Sequence, residues 1–401
     1  MAILLRLVFF AVVLAIQVGL GLYVTARAIA PRRTEGRTTR RWLLVACVAA
    51  VALSTIIELS ARLYAPVGGG IWRPLVWLSR LSGFTLFASA AGILGVHFVS
   101  NAWRIVERLR PRPEAPPPDA PTRREVIAQG LSLAVTGTAG AATLYGALRE
   151  RHDLQLTEAS VTVTDLPPSL DGLTIVQITD LHIGIFTGPR ELDRLIERVN
   201  ALRGDLVVIT GDILDNNPAH VPDAVRALAR LRGRLGVHAI LGNHDHYTGR
   251  EAVRGGFAAA GISCLVNAAV KVHTGDPRRG SITLAGVDDV MAPRLFGGAG
   301  PDLRRALAGA DPEAPVVLLA HNPVYFIKAA GRVALQLSGH THGGQVNVGH
   351  VADRLMPFVA GRYQRGGSSL FVSRGVGITG PPVRLAAPPE VVRVSLTARR
   401  T

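Results

Sequence analysis

Short apolar runs that each end in a cluster of His, Asp or Asn restrict the fold of this chain more than any other feature. Thr174–Ile178 leads into Asp180-Leu181-His182, and Leu206–Thr210 into Gly211-Asp212 with Asp215 just beyond. The run at 237–241 leads into Gly242-Asn243-His244-Asp245, that at 316–320 into His321, and that at 333–337 into Gly339-His340-Thr341-His342-Gly343-Gly344. Apolar runs of this length, bounded by Gly and Pro, read as buried strands. Helical segments at 190–202, 224–232 and 253–260 separate the early ones, and further strand candidates follow to 391–396. A βαβ pattern giving way to a strand-rich half predicts an α/β layered domain. Polar groups at the carboxyl ends of such strands collect at one rim of the sheet, where α/β folds place their sites.

The residue types at those ends suit metal binding. Cysteine-based zinc sites are excluded, because the chain has only two cysteines, Cys47 and Cys264. The remaining mixture of imidazole, carboxylate and amide oxygen suits Mn²⁺, Fe or Zn²⁺. Asp212 can join two cations through its two oxygens, and alternation within 339–342 lets His340 and His342 point the same way. Glycines beside them let backbone approach the ions closely. Buried His and Asp without a cation would cost several kcal/mol in desolvation. By contrast, His152, His220, His238, His273 and His350 lack motif context and read as structural or exposed. Asp215 and His246 read as loop neighbours, and Asp288-Asp289 as residues near a substrate rim.

Asp-x-His, Gly-Asp-x-x-Asp, Gly-Asn-His-Asp, a strand-end His and Gly-His-x-His occur here in one order. From about Thr174 onward the chain thereby resembles the calcineurin-like metallophosphoesterases. Gly-His-Thr-His-Gly-Gly-Gln at 339–345 and the tail at 373–390 are similar to the membrane-associated YkuE/YaeI-type phosphodiesterases. The apolar N-terminal third resembles the transmembrane proteins with a metallophosphoesterase domain. The resemblance implies a layered β-sandwich flanked by helices and two divalent cations. One cation would be held by Asp180, His182, Asp212 and His342, the other by Asp212, Asn243, His321 and His340. His244 would face the substrate as donor to the leaving oxygen, with Asp245 orienting it, and a hydroxide between the cations would attack phosphorus.

The first third has a different character. Apolar stretches at 7–25, 42–57, 81–99 and 126–148 predict about four membrane spans, each close to the roughly 20 residues a span needs. The 48% hydrophobic content, high for a soluble enzyme, agrees with spans. Arg27, Arg32, Arg33, Arg37, Arg40 and Arg41 lie between the first two stretches. Arg104, Arg108, Arg110, Arg112, Arg123 and Arg124 lie between the last two, while the middle connection has Arg62 and Arg73. The positive-inside rule makes the arginine-rich connections cytoplasmic and sends the C-terminal domain outside. Arg123-Arg124 also resembles a twin-arginine signal, with the same consequence. Much of the net charge of +15 is thus a matter of topology, and no basic stretch is interleaved with aromatics as a nucleic-acid binder would need. His97 sits within the third stretch, where nothing in the sequence supplies a partner. The segment 111–121 is a Pro-rich linker, and the domains divide as a membrane part, 1–150, and a catalytic part, 151–401.

The expected function is that of an integral membrane phosphoesterase acting outside the cytoplasm on phosphodiester or pyrophosphate bonds, with a lipid-linked substrate suggested by the anchor. Two other readings stand beside it: a phosphomonoesterase or nucleotide phosphodiesterase on soluble substrates, and a catalytically silent membrane sensor that keeps the metal fold. The sequence does not decide the oligomeric state.

Overall fold

The computed structural model describes residues 16–24, 37–64, 70–107, 123–275, 280–293 and 297–398. It divides into two compact units, Met1–Tyr64 with Pro74–Leu148 and Ala65–Arg73 with Arg149–Thr401.

The first unit is helical. Residues 16–24, Arg37–Tyr64, Trp72–Glu107 and Arg123–Leu148 form its helices. Among the described residues, two helices are long and apolar enough to cross a membrane: Trp72–Trp103 and Val126–His152. Of the four expected spans, these two correspond to the third and fourth. The stretch 42–57 lies in the helix Arg37–Tyr64, within which Val48–Glu58 is a shorter apolar segment. Of the stretch 7–25 only 16–24 are described, and the linker 111–121 lies outside the described residues. Val24, Ala90 and Ile93 pack together at the centre of this unit, and Arg80 donates to the Glu58 carboxylate at 3.0 Å. His97 does have partners: its Nδ1 lies 3.1 Å from the Tyr23 hydroxyl and 3.0 Å from the Ile93 carbonyl. The residue Tyr23 is 74 positions away, so sequence spacing could not disclose it.

The second unit contains two six-stranded sheets. Its strands in chain order are β1 (Gln155–Val163), β2 (Thr174–Ile178), β3 (Leu206–Thr210), β4 (Val237–Ile240), β5 (Ser263–Cys264) and β6 (Ala268–Val272), then β7 (Ile282–Gly286), β8 (Val316–Leu319), β9 (Leu335–Ser338), β10 (Gly361–Arg365), β11 (Ser368–Val372) and β12 (Glu390–Ala398). One sheet has the order β1-β12-β2-β3-β4-β5 and the other β10-β11-β9-β8-β7-β6. Strands β2 to β5 run parallel, as do β7, β8, β9 and β11.

The sheets pack face to face through one core. Val161, Ile175, Leu206 and Ile240 from the first meet Ile282, Leu284, Val317, Leu335 and Phe371 from the second. Helices cover the outer faces. Pro189–Ala201 buries Leu192, Leu195, Ile196 and Val199, a spacing of one helical face, against Val176, Ile178, Val207 and Ile209. On the opposite side Leu303, Tyr325 and Ala329 cover Ala285 and Leu318. Strands covered on both faces must be apolar throughout, which is why β3 and β7 are buried at every position. The α/β layered expectation therefore holds, with helices on both sides of a two-sheet sandwich. Parallel strands within each sheet bring the carboxyl ends of β2, β3 and β4, and of β8 and β9, to the edges from which the polar clusters leave.

Candidate metal centre

Backbone conformation marks the site first. Asp180, His182, Asp212, His340 and His342 all adopt left-handed φ, between 43° and 73°. A residue with a Cβ pays for that conformation, and such residues gather where geometry is fixed for function. Here the turns after β2 and β3 are laced together: Asp180 N–H donates to the Gly211 carbonyl at 3.0 Å and His182 N–H to the Asp212 carbonyl at 3.1 Å. The turn after β9 joins them, because His340 N–H donates to Asp180 Oδ1 at 3.0 Å. Gly242 and Gly339 are fixed by sterics. A Cβ on either would collide with the carboxylate of Asp212 or Asp180 respectively.

These turns bring the sequence-predicted residues together. Ligand atoms of Asp180, His182 and His342 lie within 4.8 Å of one another, as do those of Asp212, His321 and His340. A third grouping, His182, Asp212 and His244, links the two. The Nε2 atoms of His182 and His342 are 3.1 Å apart, and His340 Nδ1 is 3.3 Å from His321 Nε2. His321 Nδ1 donates to the Thr210 carbonyl at 2.8 Å, which leaves Nε2 to face Asp212 Oδ2 at 3.2 Å. Asn243 is buried, and its Oδ1 has no hydrogen-bond partner among the described residues.

Electrostatics suit a site that takes up positive charge. Burial, with the charge of Asp212 added, pushes the Asp180 carboxyl up to about 6. Burial likewise holds His182 and His340 down at about 4, in the neutral form that metal binding requires. Burial opposes charge on Asp212 too, but His321 beside it outweighs that and keeps the carboxylate ionised. Paired imidazole nitrogens, two close carboxylates and a lone amide oxygen fit a pair of divalent cations of the Mn, Fe or Zn type.

Two roles need correction or addition. Asp245 does not orient the His244 ring. Its carboxylate accepts the Gly242 and Ile213 N–H groups at 2.9 Å each, closing the start of the helix Asn243–Thr248 onto the turn after β3. The ring is held instead by Asp215, whose carbonyl accepts from His244 Nδ1 at 2.7 Å, while His244 N–H donates to Asp212 Oδ1 at 2.8 Å. A carboxylate at the third position of a helix caps its N-terminus, and that local preference wins over contact with the preceding side chain. His246 is buried and its Nε2 lies 2.9 Å from Asp288 Oδ1. Asp288 and Asp289 are buried as well, not on a rim.

Arg384 escaped the sequence reading. It is fully buried and donates to the carbonyls of Ala387 at 2.8 Å, Arg374 at 2.9 Å and Gly375 at 3.2 Å, with its Nη2 3.4 Å from His342 Nδ1. Burial lowers its pKa to about 10. An arginine amid Pro-Pro-Val and Leu-Ala-Ala, within an otherwise apolar tail, is the signal that was present.

Comparison with known proteins agrees with this geometry. The family model described as calcineurin-like phosphoesterase matches residues 173–344, a range that contains every proposed ligand. A transmembrane protein with metallophosphoesterase domain from Bos taurus is 36% identical over 69% of this chain, which spans 64% of that protein. Its counterpart from Danio rerio is 32% identical over 80% of this chain and 74% of its own length. The uncharacterised metallophosphoesterase YkuE of Bacillus subtilis is 31% identical over 65% of this chain and 91% of its own length. The chain thus belongs to the calcineurin-like metallophosphoesterases, a family of dinuclear metal-dependent phosphoric ester hydrolases.

Proposed function

We propose that this protein is a membrane-anchored hydrolase of phosphodiester or pyrophosphate bonds. Asp180, His182, Asp212 and His342 would hold one divalent cation, and Asp212, Asn243, His321 and His340 the second. The observation that carries this reading is the two pairs of facing imidazoles, His182 with His342 at 3.1 Å and His340 with His321 at 3.3 Å, on either side of Asp212. When bound, two such cations would supply positive charge for the phosphate oxygens and for acidifying a water nucleophile. The residues of the chain do the rest. Asp212 accepts the His244 N–H and thereby fixes the start of the helix that carries Asn243. With His244 Nδ1 held by the Asp215 carbonyl, Nε2 is the atom that exchanges a proton with the leaving oxygen.

Anchoring rests on the two candidate spans. Trp72–Trp103 and Val126–His152 are strongly apolar, and less than a quarter of the most apolar part of each is buried within the protein. Apolar helices that expose this much surface have lipid as their natural solvent. The arginines of the connection between them, among them Arg108, Arg110 and Arg112, favour a cytoplasmic connection and a catalytic unit outside the cytoplasm. A C-terminal reporter active only in the cytoplasm would overturn that orientation.

The enzymatic reading is tested with purified full-length protein in detergent and Mn²⁺. A bis-ester, a mono-ester and a lipid pyrophosphate are compared. Turnover of the bis-ester or pyrophosphate ahead of the mono-ester is expected. Asp212→Ala should lose more than the about 100-fold typical of a residue that only supports a ligand. Equal activity in that variant sinks the mechanism, and metal binding without turnover of any ester points to a silent sensor.

A further inference from the structure

The catalytic unit carries its exposed apolar side chains in a particular place. From residue 149 onward, the exposed large hydrophobic residues among those described are Tyr247, Val324, Ile327, Val348, Val351 and Leu355, together with Leu156 on an edge strand. Every one except Leu156 lies in a connection that leaves the carboxyl end of a strand directly after a proposed ligand. Tyr247 follows Asn243, Val324 and Ile327 follow His321, and Val348, Val351 and Leu355 follow His342. Single exposed hydrophobics need no explanation, but a set that falls almost wholly in the connections following the proposed ligands does.

The connections are fastened to the centre and to each other. The Tyr247 ring stands edge-on to His244 at 5.2 Å. Thr341, between the two histidines of the last motif, donates to the Val359 carbonyl at 2.5 Å. Asn347 Oδ1 accepts the Ala352 N–H at 2.9 Å, which holds the short helix Val351–Leu355 beside that turn. Phe326 meets Phe358 edge to face at 6.0 Å, joining the connection after His321 to the one after His340 and His342. Cations accompany the apolar tips: exposed Lys328 adjoins Ile327, and exposed Arg354 adjoins Leu355. The acid in the same helix, Asp353, is engaged with Asn347 Nδ2 at 3.1 Å and His350 Nδ1 at 2.9 Å.

We infer that this rim, with Val348, Val351 and Leu355 at its tip, docks into the surface of an anionic lipid bilayer and presents the metal centre to phosphate esters held there. Apolar side chains flanked by Lys and Arg match an interface whose tails are apolar and whose headgroups are negative. The inference rests on the membrane-anchored hydrolase reading and narrows its substrate class to amphiphilic phosphate esters at the bilayer surface. A soluble substrate would gain nothing from an apolar rim.

The test uses the full chain with Cys47→Ala and Cys264→Ala, reconstituted in phosphatidylglycerol–phosphatidylethanolamine vesicles. A bimane label is attached after Leu355→Cys, or after Glu313→Cys, an exposed position before β8 at the opposite end of that strand. Lipids brominated in their acyl chains should quench the label at 355 about twofold more than the label at 313, as expected for insertion below the headgroups. Equal quenching at the two positions overturns the inference. Shielding of 355 from aqueous iodide without bromolipid quenching overturns it too, in favour of a protein cover. Ester turnover is followed in the same vesicles. Quenching without turnover leaves the docking face standing and removes the hydrolase reading; turnover without quenching does the reverse. Val351→Ser combined with Leu355→Ser should lower turnover of vesicle-borne ester about tenfold relative to a soluble ester, and a parallel change in both overturns the inference.

Discussion

Asp212 concentrates the chemistry at the residue scale, since it lies in two of the candidate ligand groups and also accepts the His244 N–H. His244 is the complementary case: a side chain whose ring is fixed through Nδ1 and whose other nitrogen stays available. His244→Ala should therefore slow hydrolysis of esters with poor leaving groups by about a hundredfold and affect p-nitrophenyl esters much less. Comparing the two leaving groups in one preparation checks this; equal losses would assign His244 to metal binding. Arg384 makes a different kind of contribution. Arg384→Met would leave the buried carbonyls of Gly377 and Ala387 without donors and should cost roughly 3 kcal/mol of stability, read from denaturant unfolding of the catalytic unit's near-UV signal. Arg384→Lys should recover only part of it, because one ammonium cannot serve carbonyls on several sides of a planar fork. The proposed ligands were legible one by one because each lies in a short motif at a strand end. Arg384 was not, because its contact with His342 joins residues 42 positions apart. The role of Asp245 was misread for a related reason: the sequence shows a neighbour, and the fold supplies the backbone N–H groups that actually claim it.

At the scale of elements, the site depends on how tightly the turns close. Gly242→Ala should place a methyl on the Asp212 carboxylate, and metal content measured on the purified variant should fall although the helix Asn243–Thr248 gains nothing that disfavours it. Farther from the site, Asp205 ties β2 to β3. Its carboxylate accepts the Thr174 N–H at 2.8 Å and the Arg234 Nε–H at 2.8 Å. Burial opposes its charge, but the Thr174 amide and Arg234 outweigh burial and hold its pKa below the usual carboxylate value. A depressed pKa stabilises the fold above the unfolded value and loses that contribution as pH falls through the folded one. Asp205→Asn should thus cost about 1 kcal/mol at neutral pH, a figure discounted because Arg234 is largely exposed. The difference from the natural chain should disappear as pH falls through the depressed pKa of Asp205, and stability that stays unequal in strong acid would contradict the assignment. The strand and helix pattern itself was readable, since doubly covered strands must be apolar at every position. Helix lengths were less so: Trp72–Glu107 runs well beyond the apolar stretch 81–99 at both ends, which an apolar count does not report.

For the whole molecule, the proposed cations act as structural ligands as well as reactants. A cation at about 100 times its Kd adds ~2.7 kcal/mol per site, and 1 kcal/mol shifts Tm by about 2–4 °C in a domain of this size. Chelation should lower the Tm of the catalytic unit by several degrees and Mn²⁺ should restore it; a Tm indifferent to both would speak against occupied sites in the folded protein. By itself, the sequence determined which donor types are available and in what order they leave the strands. It also determined that the first third is apolar enough for spans, because composition and periodicity are local properties that burial enforces residue by residue. Only the tertiary structure decided which donors face one another, that Asp215 rather than Asp245 holds His244, that Arg384 underlies His342, and which apolar side chains of the connections after those donors stay exposed. Those outcomes depend on contacts between segments distant in the chain, and such contacts exist only once the two sheets have packed.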